Sequence, residues 1–211
     1  MEFVLADAES LPKYLYEALG RYRYRVFVER LGWRLDTPPG IERDQFDRPD
    51  TVHVIARDEE HQIVGCARLL PTTGPYLLGE VFPQLMNGLP PPSTPDVWEL
   101  SRFAVVDLHT WRTGISGQKP SALAVDILRR SVDYVTSKGA KRLLTVSPLA
   151  MERLLRKTGF HVHRAGPPVL VDGSPTFACW IELDDPFSTG RNAGKTRVPV
   201  NSDSCAQPIE G

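Results

Sequence analysis

Residues 121–147 read SALAVDILRRSVDYVTSKGAKRLLTVS, and this stretch decides the fold class of the chain. Its apolar side chains first recur every three or four positions, at Ala122, Val125, Leu128, Val132 and Val135. That spacing predicts an amphipathic helix over residues 121–137, and the apolar run at 142–147 then predicts a buried strand. A helix that leads at once into a buried strand is typical of a sheet with helices packed against it.

Similar patterns extend on both sides of this stretch. Upstream, the sequence predicts a strand at 3–5, a helix from Leu11 to about Gly32, and a hairpin of strands at 51–57 and 62–70. Seven prolines between residues 71 and 96 predict a long irregular connection with one short helix around 78–87. A strand at 97–106 follows. Downstream, we expect a helix at 150–157 and strands at 160–164 and 176–183.

These elements predict an α/β fold, a three-layer αβα sandwich around a mixed sheet. A chain of 211 residues can bury a sizeable core, and we expect one domain over residues 1–184. Residues 185–211 are polar and without periodic pattern, which is typical of a mobile tail.

The composition excludes several classes of protein. The formal net charge is −1 and 24% of the residues are charged, so nothing indicates a general attraction to nucleic acid or to a membrane surface. Three widely spaced cysteines indicate neither a disulfide framework nor a zinc site. No apolar run is long enough to span a membrane. We expect a cytoplasmic protein.

Two short stretches concentrate unusual charge. Residues 42–47 read ERDQFD, a loop with three carboxylates, and residues 98–103 read WELSRF, a strand that carries Glu99, Ser101 and Arg102 among apolar residues. Regular alternation would place Glu99 and Ser101 on one face and Arg102 on the other. Buried charge is costly unless it is paired, so these stretches predict a functional site. Their chemistry suits a small cationic, amine-bearing substrate beside a carboxylate that accepts a proton.

The charge is also unevenly distributed along the chain. Residues 36–60 hold eight acids and three bases, whereas residues 120–164 hold nine bases and three acids. A protein of this kind can face two partners of opposite charge.

Residues 112–117 read RTGISG, just before the predicted helix. This resembles the R/Q-x-x-G-x-G/A pyrophosphate cradle of GNAT-type acyl-CoA N-acetyltransferases but is out of register with it. Backbone amides at the start of that helix would suit a single phosphate better than two.

Several spaced motifs occur together in one order: Arg23-x-x-Val26-Phe27, Leu31-Gly32-Trp33, Glu42-x-Asp44-x-Phe46-Asp47, Arg68, Phe82 and Glu99-x-Ser101-Arg102-Phe103. In these motifs the chain resembles the acyl-homoserine-lactone synthases, which make the autoinducers of bacterial quorum sensing. The resemblance covers about residues 20–183 and is far more specific than a lone signature.

The resemblance implies a GNAT-like fold and two substrates, S-adenosyl-methionine and an acyl chain on acyl carrier protein, with no cofactor and no metal. It implies catalytic roles for Glu99, Ser101 and Arg102, with Glu99 as the general base, directly or through water. It further implies an S-adenosyl-methionine site formed by Arg23, Phe27, Trp33, Glu42, Asp44, Asp47, Arg68 and Phe82. In this reading the acids meet the cationic substrate, and Arg68 and Arg102 pair with the acids or hold its carboxylate.

Two further surfaces are predicted. We expect an acyl-chain pocket lined by Leu143, Thr145, Val146, Leu149, Met151 and Leu155, in which the Thr145 hydroxyl meets a 3-oxo group, as the family resemblance implies. We expect an acidic carrier protein to dock on the basic residues Arg129, Arg130, Lys138, Lys141, Arg142, Arg153, Arg156 and Lys157.

Simpler interpretations remain open at this stage. The arginines can be structural salt bridges, the acidic loop a solvated surface loop, and Thr145 a residue that merely suits a strand. His161 and His163 alternate on a strand, but no acid or cysteine completes a metal site around them. The alternative functions are a GNAT-type N-acetyltransferase that uses acyl-CoA and a non-catalytic module that senses S-adenosyl-methionine.

Overall fold

The computed structural model describes residues 1–108 and 122–183 of the chain. It contains a mixed eight-stranded sheet in the order β1-β2-β3-β4-β5-β8-β6, with β7 paired to β8. The strands are β1 (Glu2–Asp7), β2 (Val52–Arg57), β3 (Ile63–Pro71), β4 (Val97–Val105), β5 (Arg142–Pro148), β6 (His161–Arg164), β7 (Val169–Val171) and β8 (Ser174–Glu182). The strands predicted from the sequence are confirmed; β7 was not predicted.

Helices cover both faces, so the α/β sandwich is confirmed. Helix α1 (Lys13–Arg23) and a following π-helix (Tyr24–Arg30) pack on one face, together with the short α2 (Leu77–Val81) and a 3₁₀ turn (Pro83–Met86). Helices α3 (Ala122–Ser137) and α4 (Leu149–Lys157) pack on the opposite face. Within the described residues, none of the helices is both long and apolar enough to cross a membrane.

The first helix differs from its prediction as one regular helix. Its second part is a π-helix, in which Leu31 donates its backbone N–H to the carbonyl of Val26 five residues back. Such wider turns are common near functional sites because they alter which side chains share a face. Gly32 ends the segment at φ +69°, a left-handed conformation that favours glycine.

The inner face of α3 was predicted one step out of place. Ala122 is exposed and Val125 only partly buried, whereas Ala124, Ile127 and Ser131 are buried beside the correctly predicted Leu128, Val132 and Val135. Gly65 on β3 explains the rotation. A Cβ at Gly65 would lie 2.5 Å from the Ile127 side chain, so the missing side chain makes room for Ile127.

Strands β4 and β5 separate after a short parallel ladder. Their pairing runs from Val97–Arg142 to Glu99–Leu144, although both strands continue beyond that point. The sheet therefore opens between the later parts of β4 and β5, next to Glu99. The glycine-containing segment at 112–117 and the tail from 185 lie outside the described residues, so the predictions about them stay untested, as does the domain boundary at 184.

Candidate active site

Side chains from two neighbouring sheet strands meet on the face covered by α1. Alternation along β3 and β4 brings Arg68, Glu99 and Ser101 to this face, because Arg68 pairs with Ser101 and Leu70 with Glu99 across the ladder. Arg68 is fully buried and donates from Nε to the Ser101 hydroxyl at 3.0 Å. The sequence-predicted polar residues of the two strands therefore lie together.

A β-bulge adds Arg102 to the same face. Cys66 pairs with Ala104 and Arg68 with Ser101, so Ala67 alone opposes both Arg102 and Phe103. Arg102 takes a left-handed conformation, with φ +49°, which costs a side chain about 1–2 kcal/mol. The expectation that Arg102 lies on the opposite face from Glu99 and Ser101 is wrong, because regular alternation stops at this bulge.

Three arginines and three carboxylates form a closed ring of alternating charge, called the ion ring below. Arg23 binds Glu42 and, through two nitrogens at 2.7 and 2.9 Å, Asp47. Arg102 binds Glu42 at 3.0 Å and Asp44 at 2.7 Å. Arg68 closes the ring, with Nη1 at 2.6 Å from Asp44 and 3.3 Å from Asp47.

The ion ring is electrically balanced and almost entirely buried. Burial alone would raise the pKa of Asp47, but Arg23 and Arg68 outweigh it and hold the pKa well below the usual range. The backbone N–H of Asp44 also donates to the Asp47 carboxylate, and this hydrogen bond within the acidic loop helps to fix its conformation. Each arginine bridges two acids, so removal of any one member leaves buried charge uncompensated.

The ring changes the expected role of the acidic loop. Glu42 and Asp47 are only 1% and 2% exposed, whereas Asp44 is 16% exposed. All three carboxylates are already paired with arginines, so the loop does not present three free negative charges to a substrate. Asp44 is the member of the ring that solvent reaches most.

An aromatic wall stands beside the ring. Phe27 and Trp33 stack with their ring centroids 4.8 Å apart, and the Arg102 guanidinium lies 5.6 and 5.8 Å from the two centroids. Trp33 is 42% exposed, so this wall faces solvent. Phe82 is not part of this wall: it is partly buried against the cluster that contains Phe46 and Leu78, near α2.

Glu99 lies apart from the ion ring and has no arginine in direct contact among the described residues. Its two carboxylate oxygens accept the backbone N–H groups of Leu77 and Leu78 at 3.0 and 2.7 Å. Burial raises the pKa of Glu99, and the Leu78 N–H and the positive charge of Arg68 only partly oppose that shift. A buried carboxyl group of raised pKa is suited to accept a proton.

Sequence reasoning named Phe46 in a motif without assigning it to the site, and it missed His53. Phe46, fully buried, lies under the Arg68 guanidinium at 5.7 Å. His53 pairs with Arg68 across β2 and β3, and its Nε2 lies 4.0 Å from Asp47. Burial lowers the pKa of His53 to about 3, although Asp47 opposes the shift. Its position opposite Arg68 in the hairpin was the available signal.

The predicted acyl-pocket residues divide between the two faces of the sheet. Leu143, Leu149, Met151 and Leu155 belong to the core beneath α3 and α4, whereas Val146 packs in the cluster on the opposite face. Thr145 shares the face of Leu143 by strand alternation. Its buried hydroxyl lies 3.0 Å from that of Ser147, which sequence reasoning also missed. Val146 therefore cannot line the same acyl-chain pocket as the other five predicted residues, because it lies on the opposite face of the sheet.

The predicted basic surface is only partly available to a partner. Arg130 lies over the Phe3 ring, Arg142 over Trp180, and Arg156 pairs with Glu152 at 3.0 Å. Of the eight predicted residues, Arg142 is partly buried and the other seven are exposed: Arg129, Arg130, Lys138, Lys141, Arg153, Arg156 and Lys157.

Known proteins are similar to this chain in sequence and in fold. The family model described as autoinducer synthase matches residues 9–188. An acyl-homoserine-lactone synthase of Acinetobacter nosocomialis is 49% identical over 183 residues, which is 87% of this chain and 100% of the relative. These matches confirm the family suggested by the motifs.

Solved structures agree with the sequence matches. TofI, crystallised with an inhibitor and MTA, has a TM-score of 0.75 and 45% identity, covering 89% of this chain and 94% of its own. BjaI, a CoA-dependent acyl-homoserine lactone synthase crystallised with SAM and isopentyl-CoA, has a TM-score of 0.74 and 28% identity, covering 87% and 84%. The fold is GNAT-like. The chain therefore belongs to the autoinducer synthase family and is an acyltransferase of the acyl-homoserine-lactone synthase type.

Proposed function

We propose that this protein makes an N-acyl-homoserine lactone from S-adenosyl-methionine and an acyl thioester carried by acyl carrier protein. The observation that carries the proposal is the buried Glu99 carboxyl group, which lies where β4 and β5 separate and on the same face as the ion ring. A buried carboxyl group next to the opening of the sheet, on the face that carries the polar, aromatic-walled site, supports the proposal.

The reaction has two steps. A base first takes a proton from the substrate ammonium, and the amine attacks the thioester carbonyl carbon. The carbon–sulfur bond breaks, and the released thiolate takes the second proton of the nitrogen. The substrate carboxylate then attacks its own γ-carbon, the bond from that carbon to the sulfonium breaks, and methylthioadenosine leaves as the lactone closes.

Glu99 is proposed to accept the first proton. Each of its oxygens accepts one backbone N–H and keeps another lone pair, so the two hydrogen bonds leave it able to act as a base. Its side chain is fully buried, which favours transfer through a bound water rather than direct contact with the amine.

Ser101 and Arg68 are proposed to assist at the same place. Ser101 accepts the Arg68 Nε–H and keeps its own O–H proton to donate. Arg68 Nη2 is buried and lacks a hydrogen-bond partner among the described residues. Such an unpaired donor is costly, so we expect it to bind a water or a substrate oxygen.

The acyl donor and the location are proposals as well. The exposed basic residues around α3 and α4 favour an acidic carrier protein, whereas the related BjaI is CoA-dependent. A cytoplasmic location fits a donor of either kind.

The test supplies S-adenosyl-methionine with one acyl chain, either on carrier protein or on CoA, and measures lactone by mass spectrometry. We expect kcat/KM to be at least about tenfold higher for the carrier-bound chain. Equal or higher kcat/KM for acyl-CoA would contradict the choice of donor, and absence of lactone with both donors would contradict the function.

A further inference from the structure

Residues 74–78, called the holding segment below, contact both oxygens of Glu99. The backbone N–H groups of Leu77 and Leu78, at the start of α2, donate to the carboxylate at 3.0 and 2.7 Å. These two hydrogen bonds favour the charged form of Glu99 and so oppose the effect of its burial. A residue that fixes the holding segment therefore influences the pH at which Glu99 ionises.

The holding segment has a filled side and an open side. On the inner side Leu78 is fully buried. The outer side borders a groove of about 300 Å³, whose opposite wall includes Pro91, Pro92 and Ser93. A groove gives a backbone segment less packing support than a filled core does, so hydrogen bonds on the outer side matter more for its position.

Tyr76 joins the two walls of this groove. Its side chain is buried, and its hydroxyl donates to the carbonyl of Pro92 at 2.6 Å. Its ring lies so close to α2 that a Cβ at Gly79 would be 2.9 Å from two ring carbons. The missing side chain at Gly79 therefore makes room for the ring. Because Tyr76 directly precedes Leu77, its anchored side chain fixes the first N–H that Glu99 accepts.

Arg48 holds the same segment from the other direction. Its Nη1 donates to the carbonyl of Pro75 at 2.6 Å, while Nε and Nη2 pair with Asp50 at 3.0 and 3.3 Å. Arg48 also directly follows Asp47, a member of the ion ring. It thus connects the loop that closes the ion ring with the segment that holds Glu99.

We propose that Tyr76 and Arg48 are positioning residues, which fix the holding segment so that its two backbone N–H groups meet both oxygens of Glu99. Both residues act through the backbone of this segment. The inference rests on the proposed function for the role of Glu99, and it adds two residues to which the sequence motifs assign no role.

Other charged groups around Glu99 remain unchanged when the Tyr76 hydroxyl is removed. Arg68 on β3 and Arg102 on β4 favour the ionised form of Glu99. Burial and the nearby Glu99 raise the pKa of Tyr76 to about 12, so this phenol is neutral wherever Glu99 titrates. A change in Glu99 after removal of the hydroxyl therefore reports a change in geometry and not a lost charge.

Infrared titration measures the ionisation of Glu99 directly, because its carboxyl band is the one absent from Glu99→Gln. Tyr76→Phe keeps the ring and removes only the bond to Pro92. We expect the Glu99 midpoint to rise by about half a pH unit or more, since a loosened segment stabilises the charged form less. The pH midpoint of kcat should rise in parallel, while the KM for S-adenosyl-methionine stays within about twofold of wild type.

Gly79→Ala disturbs the same contact without removal of a polar group. Alanine favours a helix more than glycine does, so a shift in this variant comes from the new methyl group against the Tyr76 ring. The Glu99 midpoint should again rise. The matched control Tyr14→Phe, which removes an exposed hydroxyl on α1, should keep the wild-type midpoint.

Arg48→Met tests the second anchor and should also raise the Glu99 midpoint. Its control is Arg21→Met, which removes an equal charge from an exposed position on α1 and should leave the midpoint unchanged. An unchanged midpoint in Arg48→Met alone would remove Arg48 from the proposal.

Unchanged midpoints in folded Tyr76→Phe and Gly79→Ala would overturn the inference. Activity that falls equally at every pH, with the Glu99 midpoint unmoved, would mean that these contacts are only structural. A wild-type protein that forms no lactone would instead contradict the proposed function, and the infrared midpoints would still decide whether the segment is positioned as inferred.

Discussion

At the scale of single residues, four carboxylates on one face of the sheet have different surroundings and hence different chemistry. Glu42, Asp44 and Asp47 each meet two guanidinium groups, and Arg23 and Arg68 hold the pKa of Asp47 well below its usual range. Within the described part of the chain, Glu99 hydrogen-bonds only to backbone N–H groups, and burial raises its pKa. A paired carboxylate stabilises the site, whereas an unpaired one can exchange a proton.

The first prediction concerns Glu99. Glu99→Gln keeps the shape and removes the proton acceptor, so kcat should fall by roughly a hundredfold or more. In the wild type, activity should rise with pH through a midpoint above 4.5, the ordinary pKa of a glutamate, because Glu99 must be ionised. This rise of activity with pH should be absent in Glu99→Gln. A folded Glu99→Gln protein with near wild-type kcat would refute the assignment.

His53 gives a second prediction, about stability. Its pKa is about 3 in the folded protein and 6.5 as a free side chain, so only the unfolded chain takes the proton between these values. The stability that depends on neutral His53 is therefore complete above pH 6.5 and lost as pH falls toward 3. From pH 7 to 4.5 we expect a loss of about 2–3 kcal/mol in the free energy of unfolding.

Urea unfolding at several pH values measures this loss. Between pH 4.5 and 6.5, the slope of the free energy of unfolding against pH should be smaller in His53→Gln, by the amount that corresponds to about one proton. The variant of an exposed histidine, His163→Gln, should keep the wild-type slope. A His53→Gln protein that loses stability with acid as steeply as the wild type would show that another group is responsible.

At the scale of elements, local sequence patterns predict the regular helices and strands but not the irregular parts between them. The strand positions, the hairpin of β2 and β3 and the short helix after Pro71 follow from spacing, proline and glycine, and all are present. The face of the sheet on which Arg102 lies depends on the extra residue of the β-bulge in β4 and on the left-handed backbone conformation of Arg102. The ion ring depends on how a loop folds over the sheet, and no local pattern encodes that.

Strand β5 supplies the third prediction. Thr145 and Ser147 lie on one face of the strand with their hydroxyl oxygens 3.0 Å apart. One hydroxyl donates its proton to the other, so the second hydroxyl keeps its own proton to donate to a ligand. If that proton meets a 3-oxo group, Thr145→Val should shift preference toward unsubstituted chains by about 1 kcal/mol.

Competition between 3-oxo and unsubstituted acyl donors of equal length gives the ratio of products. Ser147→Ala is the matched variant and should move the ratio less than Thr145→Val, because Thr145 keeps its hydroxyl. An unchanged ratio in Thr145→Val would mean that the threonine is structural.

At the scale of the whole molecule, the sheet separates two charged regions. The ion ring lies on the face of α1, while α3 and α4 carry the exposed basic residues on the opposite face. Between these faces, the ladder of β4 and β5 ends at Glu99 and Leu144, which leaves a gap in the strand pairing. The proposed acyl carrier protein, docked on the basic face, would deliver its thioester through this gap to the amine on the other side.

The fourth prediction tests that arrangement. Reversing Arg153 and Lys157 to Glu should raise the KM for acyl carrier protein several-fold, and the wild-type KM should rise with salt because exposed charges are screened. The matched control is Arg21→Glu, an exposed arginine on α1, which should leave that KM unchanged. If neither the charge reversals nor added salt changes the KM for acyl carrier protein, this surface is not the docking site.

The most direct test of the central claim measures both products of the proposed reaction. Purified protein with S-adenosyl-methionine and an acyl carrier donor should release methylthioadenosine and N-acyl-homoserine lactone in equal amounts, and neither should form when either substrate is omitted. Methylthioadenosine without lactone, or acylated S-adenosyl-methionine that accumulates unclosed, would contradict the account.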